Sequence, residues 1–214
     1  MMRRTMAMPK RASPASIALF MYGISEVVTI NQGLAMSVQG SPFNMARQVV
    51  YLLDYDRADA MNYLVAYARA MQVTYALLWD GDILPQRQTG SALLIEAMQN
   101  NPQIDLISAA IDYHDHIYTV AEAPLGFMLA RTSMFDKLDE LVETYDTDGE
   151  GTIGGRFFTA GDVAGERYNF VFTDEPLVSD FASLCQRGGV QWWEHGGVRG
   201  VQDPALASLQ PVTV

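Results

Sequence analysis

Two carboxylates separated by a single glycine close an apolar run in TYALLWDGDILPQ, residues 74–86. Side chains two apart in an extended chain point the same way, so Asp80 and Asp82 can address one hard cation while Gly81 leaves room for close approach. A divalent ion between them would also relieve the repulsion of two like charges at a strand end. The competing interpretation is an ordinary turn, with Asp80 capping the next element and Asp82 solvated. Which applies depends on the elements that deliver the pair.

Those elements follow from the periodicity of the chain. SIALFMYG (16–23) is a buried-strand pattern, and ISEVVTINQGLAMSV after it has helical spacing. RQVVYLL (47–53) is a second strand, AMNYLVAYARAMQ a helix rich in good helix formers, VTYALLW a third strand, SALLIEAMQNN a third helix and IDLISAAI (104–111) a fourth strand. Beyond residue 112, GFMLA (126–130) is expected as a strand, TSMFDKLDELVETY as a helix, DTDGEGTIGG as a loop and PLVSDFASLCQRGG as a helix stopped by glycine. Strands alternating with helices predict an α/β fold, a mostly parallel central sheet flanked by helices. In such a sheet ligands gather outside the carboxyl ends of the strands, where the third strand delivers WDGD.

Composition sets the limits. The 214 residues, 49% of them hydrophobic, suffice for one domain over 16–202, between a basic N-terminal tail (1–15) and a C-terminal tail (203–214). A net charge of −11 opposes adhesion to nucleic-acid backbone or anionic membrane. No run approaches the roughly 20 apolar residues that span a bilayer, so no membrane anchor is expected. The basic start followed by SIALFMYGI could be a signal peptide, but no small-residue cleavage site follows. The single cysteine, Cys185, excludes an internal disulfide and fits a reducing cytoplasm.

The order of the segments resembles the nucleotide-sugar glycosyltransferases of the A-type (GT-A) fold, a family-two-like group with an acid-x-acid motif. ADAMNYLVAYARAM, YALLWDGDILP, NNPQIDLISAAI, GFMLARTSMFDKL and FASLCQRGGVQWW carry the resemblance, over roughly residues 16–202. It implies that Asp80 and Asp82 hold Mn²⁺ or Mg²⁺ against the pyrophosphate of a nucleoside-diphosphate sugar, UDP- or GDP-linked, and that an acid near the last helix is the catalytic base. Asn62 matches the Asn of the family's Arg-Asn pair. Met61 stands where the Arg belongs, with Arg57 a turn earlier as the substitute charge. Gln202 aligns with the His that often completes the metal shell, and His195, beside Gly196 and Gly197, is the alternative ligand.

The chemistry explains why such groups are needed. Expelling a nucleoside diphosphate builds charge that a metal can stabilise, and the acceptor hydroxyl must lose a proton to a carboxylate. Asp174 and Glu175, before Pro176, and Asp180 a turn later are the base candidates; as acids at a helix start they are also stabilising by a few tenths to about 1 kcal/mol. Tyr22 and Gly23 at the first strand's end, with Asp54 and Asp56 after the second, are candidates for base and ribose contacts or plain loop residues. The transfer is expected to proceed with inversion, to a small saccharide or a modified nucleobase. His114 and His116 have metal-pair spacing but no third ligand nearby, and one of Trp192 and Trp193 must face away from the core if QWWEH is extended.

Two rivals remain. DTDGEGTIGGRF (146–157) starts like a calcium loop, with Asp146, Asp148 and Glu150 at alternate positions and Gly151 at the turn, but Phe157 stands where a bidentate Glu belongs. A nucleotidyltransferase shares the acid pair and parallel sheet. It calls for a Gly-rich basic loop after the first strand, and MYGISEVV has no Lys or Arg.

Overall fold

The computed structural model describes residues 17–23, 47–53, 57–80, 83–86, 90–113, 116–118, 126–159 and 179–202, and the structural statements below concern these. The expected first half is present: β1 (Ile17–Gly23), β2 (Arg47–Leu53), α1 (Arg57–Ala70), β3 (Tyr75–Asp80), a short β4 (Ile83–Pro85), α2 (Gly90–Asn100) and β5 (Leu106–Tyr113). After it come β6 (His116–Tyr118), β7 (Phe127–Arg131), two 3₁₀ turns (Thr132–Lys137 and Asp139–Leu141), the hairpin strands β8 (Thr144–Asp146) and β9 (Ile153–Gly155), α3 (Ser179–Arg187) and β10 (Trp192–Gln202). The helix expected after the first strand lies outside the described residues.

One eight-stranded sheet runs in the order β2-β1-β3-β7-β5-β10-β4, with β6 added to β5. β1, β2, β3, β5 and β10 share one direction, while β4, β6 and β7 oppose it. The fold class is thus the expected α/β one, with antiparallel β7 inserted between β3 and β5.

Alternation along the strands sorts the core onto two faces. Ala76 and Leu78 of β3 meet Met61, Leu64, Val65 and Ala68 of α1 and Phe181, Leu184 and Cys185 of α3. Tyr75, Leu77 and Trp79 meet Leu94, Ile95 and Met98 of α2 on the other face. Each fully buried Leu, Ile or Val contributes about 1.5–3 kcal/mol, so both faces are firmly held. α1 ends with Gln72 at φ 53, where Val73 N–H bonds the Ala68 carbonyl. α3 ends, as its glycines predict, with Gly189 at φ 67 and Val190 N–H on the Cys185 carbonyl.

The expected helix over TSMFDKLDELVETY is not formed. Its apolar residues Met134, Phe135 and Leu138 are buried from 3₁₀ turns instead. Its charged residues are drawn to fixed partners: Lys137 to Asp105 at 2.6 Å, and Asp136 and Asp139 to Arg69 at 2.9 and 2.5 Å. The segment's last residues, from Thr144, belong to β8.

β10 bends where its register on β5 shifts between Glu194 and Arg199. Its last residues pair with β5 on one edge and with β4 on the other, Gln202 against Ile83 and Gly200 against Pro85. A Cβ on Gly200 would run into the side chain of Ile83, which has 0% exposure. Gly200→Ala is therefore expected to destabilise by about 1–3 kcal/mol through overpacking. Denaturant melts would show it, and an unchanged midpoint would mean that β4 shifts freely on β10.

Candidate functional site

Parallel pairing of β1 with both β2 and β3 gives these strands a common carboxyl edge. Tyr22 pairs directly with Asp80, and Gly23 with Leu53, the residue before Asp54. α1 begins nearby in sequence at Arg57. The backbone thus brings Tyr22, Gly23 and Asp80 to one edge; Asp54, Asp56 and Asp82 lie outside the described residues, as do the Arg57 and Tyr22 side chains.

Asp80 is 4% exposed and continues the row of Ala76 and Leu78, the face covered by α1 and α3. Its backbone N–H donates to the Gly126 carbonyl at 2.7 Å, which fixes where β3 stops. Trp79 spans the turn: its indole N–H donates to the Ile83 carbonyl at 2.7 Å, and its ring meets Phe127 edge-on at 5.2 Å. The Gly81-Asp82 dipeptide is therefore bracketed by two anchored residues, Asp80 and Ile83, whose Cα atoms stand at most about 11 Å apart. Gln202, paired with Ile83, is brought to the same turn. Of Gln202 only the backbone is described, so Asp80 is the one carboxylate placed at this edge among the described residues. Among the described residues no three His, Cys, Asp or Glu side chains converge into a metal cluster.

His195 is placed differently. It sits within the bulge, where its Nδ1 accepts the Gly197 N–H at 3.1 Å. The β5 register sets Glu194 against Ser108 and Val201 against Asp112. That spacing is about 13 Å of strand rise, so His195 and Gln202 occupy opposite ends of the bend.

α3 leads through Gly188 and Gly189 into β10, whose Trp192 pairs with Leu106 at the start of β5. The helix therefore runs back against the strand direction, and its first residues, Ser179 and Asp180, lie toward the carboxyl edge. Its anchor is Phe181, stacked on Phe158 at 4.5 Å and edge-on to Trp192 at 5.7 Å. Asp174 and Glu175 lie outside the described residues, and of Asp180 only the backbone is described. Trp192 donates its indole N–H to Ser108 at 2.9 Å, while Trp193 is the outward one, 50% exposed. His114 lies outside the described residues, and His116 is described only as backbone of β6.

Two residues of α1 face inward. Met61 is fully buried in the core. Asn62, assigned by resemblance to the donor, has 0% exposure and turns to its own chain. Its oxygen accepts the N–H groups of Phe157 and Phe158, both at 2.9 Å, and its amide nitrogen donates to the Phe158 carbonyl at 2.7 Å. With its oxygen shared by two N–H groups and one amide proton on a carbonyl, the carboxamide clamps buried backbone. The legible signal was an Asn on the apolar stripe Ala58–Met61–Val65 of a helix.

The calcium-like stretch is the tip of the β8–β9 hairpin. It has strands on both sides where a calcium hand has helices, and Phe157, its twelfth position, is 2% exposed in the core. Its acids bind backbone: Asp146 accepts N–H groups from Gly149 at 2.9 Å and Gly151 at 3.0 Å, and Asp148 accepts from Glu150 at 2.9 Å. The Thr152 side chain foremost, then the Glu150 N–H, holds the Asp148 carboxyl down to about 2 from the usual 3.8. A carboxyl depressed on folding supports the loop above 3.8 and loses that effect as pH falls through about 2. NMR titration of the Glu150 and Thr152 amides is expected to show this low midpoint, and one near 3.8 would mean the loop is open.

Among solved structures, the chain is similar to the A197 protein from STIV, at a TM-score of 0.50 and 8% identity, over 86% of this chain and 84% of that one. It is similar at a TM-score of 0.48 and 12% identity to CMP:2-keto-3-deoxy-manno-octonic acid synthetase complexed with CTP, over 91% of this chain and 95% of that one. It is also similar, at 0.48 and 11%, to the mannosyltransferase PcManGT from Pyrobaculum calidifontis in complex with GDP-Man and Mn²⁺, over 91% of this chain and 60% of that one. At these identities the likeness is one of fold. No protein-family model matches the sequence, and no curated protein matches it.

Proposed function

We propose that the protein is a metal-dependent glycosyltransferase that moves a sugar from a nucleoside-diphosphate donor to a hydroxyl acceptor with inversion. The observation that carries the reading is the placement of Asp80: buried, pinned through its N–H, paired in register with Tyr22, and one turn from the β4–β10 pairing that carries Gln202. The chemistry of two fold neighbours, GDP-Man with Mn²⁺ and CTP, is of the same kind, although the reading does not rest on it.

In this reading Asp80 and Asp82 hold Mn²⁺ or Mg²⁺, with His195 or Gln202 to add a ligand. The bound ion would supply Lewis-acid stabilisation of the leaving pyrophosphate. Tyr22 and Gly23, with Asp54 and Asp56, would line the nucleoside side, and Arg57 would supply the positive charge that Met61 lacks. Asp180, or Asp174 or Glu175 before it, would take the acceptor proton. Among the described residues no helix is long and apolar enough to cross a membrane. A small saccharide or a modified nucleobase is the acceptor class this reading carries.

The test is a thermal-shift panel of uridine and guanosine diphosphates and their sugars with Mn²⁺, since a ligand bound only by the folded state raises apparent stability. Wild type is expected to shift with at least one of them. Asp80→Asn and Asp82→Asn should each weaken metal-supported binding by more than the roughly 10–100-fold that loss of an outer-shell partner costs. Unchanged binding in both would overturn the metal assignment. Asp146→Ala combined with Asp148→Ala should leave Mn²⁺-dependent binding intact; if calcium binds the wild type tightly, that double change abolishes it and no nucleotide binds, the calcium rival is correct.

A further inference from the structure

The Asn62 clamp lies on a path between the two halves of the site. Asn62 sits in the second turn of α1, whose first residue, Arg57, begins just past the end of β2. Its three hydrogen bonds fix both N–H groups of Phe157-Phe158 and the Phe158 carbonyl. The Phe158 ring, 0% exposed, then stacks on Phe181 with 29° between the ring planes, and Phe181 follows Asp180 directly in α3. Every member is buried and close-packed, so a displacement at Asn62 has no slack to absorb it before α3. A satisfied polar cluster of this kind also admits one arrangement only, because a shift strands buried backbone groups without partners.

We propose that Asn62 is a positioning residue: through Phe158 and Phe181 it sets the start of α3, and with it Asp180, against the Asp80 edge. The proposal rests on the glycosyltransferase reading and on Asp180 as the proton acceptor. It assigns Asn62 a role on the base side of the reaction, where the resemblance had placed it on the donor. Donor affinity should then be indifferent to Asn62, while the step that needs the base should depend on it. A misplacement of about 1 Å is enough to cost on the order of 100-fold in a step that requires aligned groups.

The experiment compares Asn62→Ala and Phe158→Leu with Met98→Ala, which removes a buried side chain from the opposite face of the sheet. Release of nucleoside diphosphate from UDP- and GDP-sugars with Mn²⁺, the sugar passing to water or to an added small saccharide whose hydroxyl gives its proton to the base, is measured below the melting temperature of every variant. In parallel, hydrogen exchange is followed across α3. Expected are a kcat about 10-fold or more lower in Asn62→Ala and Phe158→Leu with donor KM within about 2-fold, and faster exchange at 181–187, neither of which occurs in Met98→Ala. Phe158→Leu leaves the Asn62 bonds in place, so it tests the relay if Asn62→Ala does not fold. Exchange in α3 that is no faster than in Met98→Ala, or a rise in donor KM in place of the fall in kcat, would overturn the proposal. If the wild type releases no nucleoside diphosphate from any donor while exchange responds as expected, the mechanical coupling stands and glycosyl transfer is the claim that fails.

Discussion

The site depends on where β3 stops. Asp80 is held at the final position of a fully buried strand by the Gly126 carbonyl on its N–H, and the chain is recaptured at Ile83 by the Trp79 indole. Two neutral hydrogen bonds are each worth about 1 kcal/mol net, a small sum beside the core, but they decide geometry that the apolar contacts leave open. Asp80 and Ile83, on either side of Gly81-Asp82 in the sequence, are both anchored. The other candidate residues are placed relative to that stop: Tyr22 by register, the Gln202 backbone through β4, and the start of α3 through Phe181.

The bend in β10 supplies the second constraint. Beyond the register shift between Glu194 and Arg199, β10 stays paired with β5 through Val201 while Gly200, Val201 and Gln202 also pair with β4 on its other edge. Close approach there needs Gly200, whose added Cβ would meet Ile83 and Ile111. His195 lies within the bulge, where its Nδ1 accepts the Gly197 N–H.

Much of this was legible in the sequence because it is local. Residues 47–53 and 75–80 read as strands from continuous apolar runs, and α1, α2 and α3 from helical spacing and terminal glycine or asparagine. What was not legible depends on distant partners. The insertion of β7 between β3 and β5 follows from a direction reversal that FMLAR does not encode. In place of the helix expected after Arg131 the chain forms 3₁₀ turns whose apolar residues are buried and whose charged residues pair with Asp105 and Arg69, far away in the chain. β4, three residues ending in proline, is too short to register as a pattern and exists through its pairing with β10. For the site, the edge position of Asp80 was readable, whereas the inward turn of Asn62 required knowing that Phe157 and Phe158 would present unsatisfied backbone beneath α1.

The central claim is that the carboxyl edge at Asp80 is a divalent-metal and nucleotide site. Anomalous diffraction at the manganese edge, from crystals grown with Mn²⁺ and a nucleoside diphosphate, locates the ion without reference to any variant. The account predicts a manganese peak bonded to the Asp80 carboxylate, beside the β3–β4 turn and in contact with the diphosphate. A peak confined to the β8–β9 loop, or a nucleotide bound elsewhere on the chain with no ion at Asp80, would contradict it.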